Sequence, residues 1–166
     1  MRVRMLVQAA LMAALSTGAF AAGTGHSHDD HPHDGALGHT ATFGEPCNPK
    51  AKERIVQVDM LDNGTMRFSP AKWTIKLGET IRFNVRNRGV ADHELMLGTV
   101  ADLEEHAKLM QQFPEMEHAE PFAVSLPPGK NGVILWKFTK VGQFAYGCLK
   151  PGHFEAGMKG TIVVNK

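Results

Sequence analysis

The sequence predicts an all-β sandwich that carries one inserted helix. From Glu53 onward the chain breaks into short runs of β-branched and aromatic residues separated by turn residues. Strands that short, at that spacing, suit a sandwich and not a parallel α/β sheet. Only Val100 to Phe113 repeats its apolar residues at helical spacing. A third stretch carries chemistry: Gly147 to Gly160 holds Cys148, His153 and Met158 in a C-x4-H-x4-M pattern.

The first residues predict export. Arg2 and Arg4 form a basic start, Met5 to Leu15 is mostly apolar, and Ala19-Phe20-Ala21 offers small residues where a signal peptidase reads. Residues 1–21 are therefore expected to be a signal peptide, cleaved after Ala21, and the protein to be periplasmic. A membrane span needs roughly 18 or more uninterrupted apolar residues. This run carries Gln8, Ser16 and Thr17 and stops near Phe20, so no membrane association is expected after cleavage.

Residues 22–52 form a second region. His26, His28, His31, His33 and His39 stand among Gly, Ser, Thr, Asp and Pro. Such a segment has nothing with which to build a core and is expected to be disordered. Its imidazoles, with Asp29, Asp30 and Asp34 between them, suit weak capture of divalent or cuprous metal ions. Cys47, in Glu-Pro-Cys-Asn-Pro, reads as an odd thiol without a role.

Residues 53–166 are the expected domain. Arg54 to Met60 alternates around Ile55, Val56 and Val58, and Asp62-Asn63-Gly64 is a turn. Trp73 to Leu77, Thr80 to Val85, Leu95 to Leu97, Phe122 to Leu126, Val133 to Phe138, Gln143 to Tyr146 and Thr161 to Val164 complete seven or eight strand candidates. In the helix, Leu103, His106, Ala107 and Met110 share a face, Asp102 is the candidate cap and Pro114 ends it.

The 166 residues are 43% hydrophobic and 21% charged, as a globular domain requires. With 18 Lys and Arg against 17 Asp and Glu there is no basic field for nucleic acid. No Gly-rich phosphate loop and no Ser/His/Asp order stands out. The partners expected are copper ions and a periplasmic redox protein.

Cys148, His153 and Met158 offer a thiolate, an imidazole and a thioether, a soft ligand set that selects copper. Pro151, Gly152 and Gly157 supply the bends that gather them. His93 is the upstream histidine placed at the entry to an apolar run, and it completes the set. Each residue alone has a plainer reading, as core methionine, satisfied histidine or inert thiol. Their joint spacing between two strand candidates favours a metal site.

His93 with Cys148, His153 and Met158, on a short-stranded β chain, resembles the cupredoxin family of type 1 copper proteins. The resemblance covers roughly Arg54 to Lys166. It implies a Greek-key β-sandwich, one type 1 copper held by two imidazoles and a thiolate in a plane, and Met158 as the weak axial ligand. Backbone N–H groups near Gly147 and Pro151-Gly152 are expected to face the sulfur, and Asp92 or a backbone carbonyl to orient His93. Glu94 departs from the pattern, since many small blue copper carriers place an asparagine there.

Met110, Met116 and His118 suggest a secondary cuprous site. Cys148 is flanked by Gly147 and Leu149, not by the histidines that feed a trinuclear cluster in multicopper oxidases, so an enzyme is not expected beyond weak cuprous oxidation. The histidine-rich leader resembles small periplasmic copper-tolerance cupredoxins, which implies copper binding and Cu(I)/Cu(II) cycling in copper tolerance. The alternative is a soluble electron carrier, docking through an apolar patch of Leu149, Pro151 and Phe154 around His153.

Overall fold

The structure is a computed structural model that describes residues 41–47, 52–116 and 119–166. Two five-stranded sheets face each other. The first contains β1 (Gly44–Pro46), β2 (Glu53–Leu61), β3 (Arg67–Ser69), β5 (Thr80–Asn87) and β8 (Asn131–Phe138), in the order β1-β8-β5-β2-β3. The second contains β4 (Lys72–Lys76), β6 (His93–Gly98), β7 (Ala123–Leu126), β9 (Gly142–Gly147) and β10 (Lys159–Asn165), in the order β4-β10-β9-β6-β7. β2 runs parallel to β5 and β10 parallel to β4; the other pairs are antiparallel. The expected β-sandwich with one helix is what forms.

Alternation builds the core. Trp73 and Ile75 of β4, Ile81, Phe83 and Val85 of β5, Ile134, Trp136 and Phe138 of β8, and Ile162 and Val164 of β10 point inward, while their neighbours, apart from buried Thr80, face out or lie half-buried. Trp73 stacks on Tyr146, ring centroids 3.9 Å apart, and the Tyr146 hydroxyl donates to the Pro70 carbonyl at 2.7 Å. β6 is the exception, buried at every position. The helix α1 (Val100–Gln112) packs against β6 and β9 and buries Leu103, His106, Ala107 and Met110. A strand enclosed between layers loses its period-two signature. That is why the sequence shows only Leu95 to Leu97 of it.

Three expectations are corrected. Asp102 is not the helix cap; Thr99 is. Thr99 Oγ1 accepts from Asp102 N at 3.1 Å and Asp102 Oδ2 accepts from Thr99 N at 3.3 Å, a reciprocal capping box. The second concerns the leader, whose residues Gly44–Pro46 pair with β8. Phe43 beside them is 2% exposed, packed among Phe122, Trp136, Phe138 and Phe144. One aromatic residue anchors a segment whose composition gives no hint of a core. Thirdly, β3 is too short to stand out in the sequence; Phe68 holds it by packing edge-on against Tyr146.

Among the described residues no helix is long and apolar enough to cross a membrane. The signal-peptide assignment, residues 1–21, and the leader histidines His26, His28, His31, His33 and His39 lie outside the described residues.

Candidate metal centre

β9 ends at Gly147 and β10 begins at Lys159, so the C-x4-H-x4-M stretch is one connection between antiparallel neighbours. Its backbone is closed by its own hydrogen bonds. Cys148 N donates to Met158 O, Met158 N to His153 O, and His153 N to Lys150 O, each at 3.0 Å. Gly152 and Gly157 take φ of 82° and 97°, in the left-handed region that favours glycine. These are the bends the sequence places there.

His93 opens β6 in the same sheet, and Met96 of β6 lies opposite Gly147 in register. Three donor atoms converge. His93 Nδ1 lies 3.2 Å from His153 Nδ1, and Cys148 Sγ lies 3.3 Å from His153 Nδ1 and 4.0 Å from His93 Nδ1. All three fall within 4.8 Å of one another. His93 and Cys148 are fully buried and His153 is half-buried. Met158 is fully buried too, its backbone bonded to both other loop residues of the set. Two imidazole nitrogens and one sulfur facing a common point are donors that fit copper.

Burial pushes the Cys148 thiol up to about 12, opposed by the backbone N–H groups of Glu94 and Lys150. Glu94 N lies 3.3 Å from the sulfur. Burial, and then the neighbouring His93, lower the His153 imidazole. A metal entering here displaces the thiol proton.

The surrounding residues differ from expectation. Gly147 and the Pro151-Gly152 turn do not supply the donors to sulfur; Glu94 and Lys150 do. Asp92 is not the partner of His93. Asp62 is, its Oδ2 3.2 Å from His93 Nε2. Glu94 proves compatible with the site because its useful group is its backbone N–H. Its carboxyl, raised to about 7 by burial, turns to Ser125, its cross-strand neighbour. Asn87, 2% exposed, donates from Nδ2 to Ala91 O and Leu126 O, both at 2.8 Å, and accepts from Gly89 N at 2.9 Å. Neither Asn87 nor Asp62 was expected at the site; Asp62, 31 residues from His93, is marked in the sequence only by its turn.

The apolar docking patch is corrected as well. Leu149 is 1% and Phe154 8% exposed, so only Pro151 of the three reaches the surface. Phe154 lies against the open face of Gly147, where an added Cβ would stand 2.7 Å from its ring, and Lys159 Nζ sits 4.6 Å from its centroid. Of the expected methionine cluster, Met110 is fully buried on the inner face of α1 and Met116 is half-buried against the core. His118 lies outside the described residues. Cys47 and Cys148 are both free thiols.

Comparison with known proteins agrees with this geometry. A family model described as copper binding proteins, plastocyanin/azurin family, matches residues 55–165. The copper-resistant cuproprotein CopI of Rubrivivax gelatinosus is 46% identical over 167 residues, spanning 99% of this chain and 99% of that protein. The copper-resistant cuproprotein CopI of Pseudomonas aeruginosa is 30% identical over 155 residues, spanning 76% of this chain and 84% of its own. Among solved structures, auracyanin B superimposes with a TM-score of 0.60 at 20% identity, covering 75% of this chain and 97% of that one, and so shares the fold. The chain belongs to the plastocyanin/azurin family of copper-binding proteins, is a homologue of the CopI cuproproteins, and takes copper as its cofactor.

Proposed function

We propose that this chain is an exported copper-tolerance protein whose His93, Cys148 and His153 would hold one copper, with Met158 as a fourth, weaker donor. The convergence of two Nδ1 atoms and one sulfur within 4.8 Å carries the reading. Bound copper supplies one-electron chemistry between Cu(I) and Cu(II). The protein's part is to hold the donors rigidly, with His93 and Cys148 sealed from water and His153 half-open to it. A donor set fixed beforehand lowers the rearrangement between the two oxidation states.

Copper tolerance as the role rests on the likeness to relatives named copper-resistant cuproproteins, over 99% of this chain for one and 76% for another. The signal-like start of residues 1–21 supports a periplasmic location, and the five leader histidines support capture of further copper. The electron-carrier alternative loses the feature that favoured it, since Leu149 and Phe154 are buried. A role as an enzyme lacks support, because no histidine flanks Cys148.

The test is an optical and electron paramagnetic resonance spectrum of the mature protein after addition of Cu(II), beside Cys148→Ser and a deletion of residues 22–40. An intense thiolate-to-copper band lost in Cys148→Ser and kept in the deletion is expected. The deletion should bind less copper in total. A band that survives Cys148→Ser, or none in the unaltered protein, overturns the assignment. Loss of copper-tolerant growth in a strain carrying Cys148→Ser is the expected cellular counterpart.

A further inference from the structure

We propose that Asp62 is a positioning residue of the metal centre, holding the His93 ring so that Nδ1 faces the other donors, and that Gly89 is the position that admits its carboxylate. The inference rests on the reading of His93 as a metal ligand. It concerns a residue that the sequence marks only as the first of an Asp-Asn-Gly turn.

One carboxylate oxygen gathers three contacts. Asp62 Oδ2 accepts from Val90 N at 2.8 Å and from Ala91 N at 2.9 Å, and it lies 3.2 Å from His93 Nε2. The Asp62 side chain is 8% exposed and that of His93 fully buried. Two backbone N–H groups already donate to this oxygen, so it meets His93 as an acceptor. An acceptor facing Nε2 places the ring proton there. Nδ1 is then left with the lone pair that a metal requires. The same oxygen ties the turn after β2 to the loop that leads into β6, so ring and loop are set together.

Gly89 supplies the independent observation. A Cβ at this position would stand 2.6 Å from Asp62 Cγ, 2.6 Å from Oδ2 and 2.8 Å from Oδ1. Real Cβ atoms do not approach that closely, and the obstructing atoms belong to the very group that contacts His93. Asn87 fixes Gly89 from the other side, accepting from its N–H. Glycine is required here for space. The carboxylate also carries a negative charge to the far side of a metal-bound imidazole. That raises ligand basicity and favours Cu(II) over Cu(I).

The experiment uses the full mature chain with Asp62→Asn, Asp62→Ala and Gly89→Ala. Nitrogen-15 NMR of the metal-free protein reads the His93 tautomer; voltammetry and the visible band read the copper-loaded protein. In the unaltered protein His93 should carry its proton on Nε2. Asp62→Asn keeps the shape and removes the charge, and should raise the reduction potential. Asp62→Ala and Gly89→Ala should lose the tautomer preference and weaken copper retention about 10- to 100-fold, the usual cost of losing such a partner. A proton on Nδ1 in the unaltered protein overturns the proposal. So does an unchanged potential in Asp62→Asn with only the melting temperature lowered, because a mere loop brace would behave that way. If the thiolate band is missing from every protein, unaltered included, the ligand assignment has failed, and the metal-free tautomer still decides what Asp62 does.

Discussion

Asn87 shows how much of the metal centre depends on side chains that never touch metal. Its amide makes three hydrogen bonds to backbone at 2.8, 2.8 and 2.9 Å, from a position 2% exposed. They join the loop carrying Gly89 and Ala91 to Leu126 at the end of β7. Asn87→Ala removes three hydrogen bonds, one buried and two part-buried, and should cost about 3 kcal/mol, each bond contributing roughly 1 kcal/mol. Urea denaturation of the metal-free protein measures this. A loss below 1 kcal/mol would mean that water replaces the amide. At position 94 the structure separates two roles carried by one residue. The backbone N–H serves the sulfur, whatever the side chain, while the carboxyl is turned to Ser125. A glutamate in place of the asparagine of many small blue copper carriers is therefore accommodated at the strand pair β6–β7.

At the scale of elements, helix α1 explains why β6 reads so faintly. The helix packs against β6, whose residues are buried throughout. The helix itself begins on the Thr99–Asp102 capping box. Thr99→Ala removes the acceptor for Asp102 N and should cost about 1 kcal/mol, whereas Thr99→Ser should be nearly neutral. If Asp102 alone capped the helix, Thr99→Ala would be silent in thermal denaturation. The loop from Cys148 to Met158 is the opposite case. Its bends come from local chemistry, glycines at positive φ and short-range hydrogen bonds, so its shape was legible in the residues themselves.

Over the whole molecule, the second sheet sets β6 beside β9 and so beside the β9–β10 connection, and the leader is fastened to the sandwich at Phe43. Four aromatic rings surround that side chain, with centroids 5.2 to 6.2 Å away. Phe43→Ala should destabilise the protein by about 3–5 kcal/mol, the range for deleting a buried aromatic side chain. Chemical denaturation tests it; a change under 1 kcal/mol would show that β1 is dispensable. The sequence by itself determined the β class, the helix and three of the four candidate ligands, because turn residues, period-two alternation and the Cys148-to-Met158 spacing are local properties. His93 was legible from its place before an apolar run. Tertiary structure alone decided which carboxylate faces His93, which amides face the sulfur, and that Leu149 and Phe154 turn inward. Those outcomes depend on residues such as Asp62 and Glu94 that meet their partners only when strands distant in sequence pack together. Hydrogen bonding acts over about 3 Å and leaves no periodic trace in the chain.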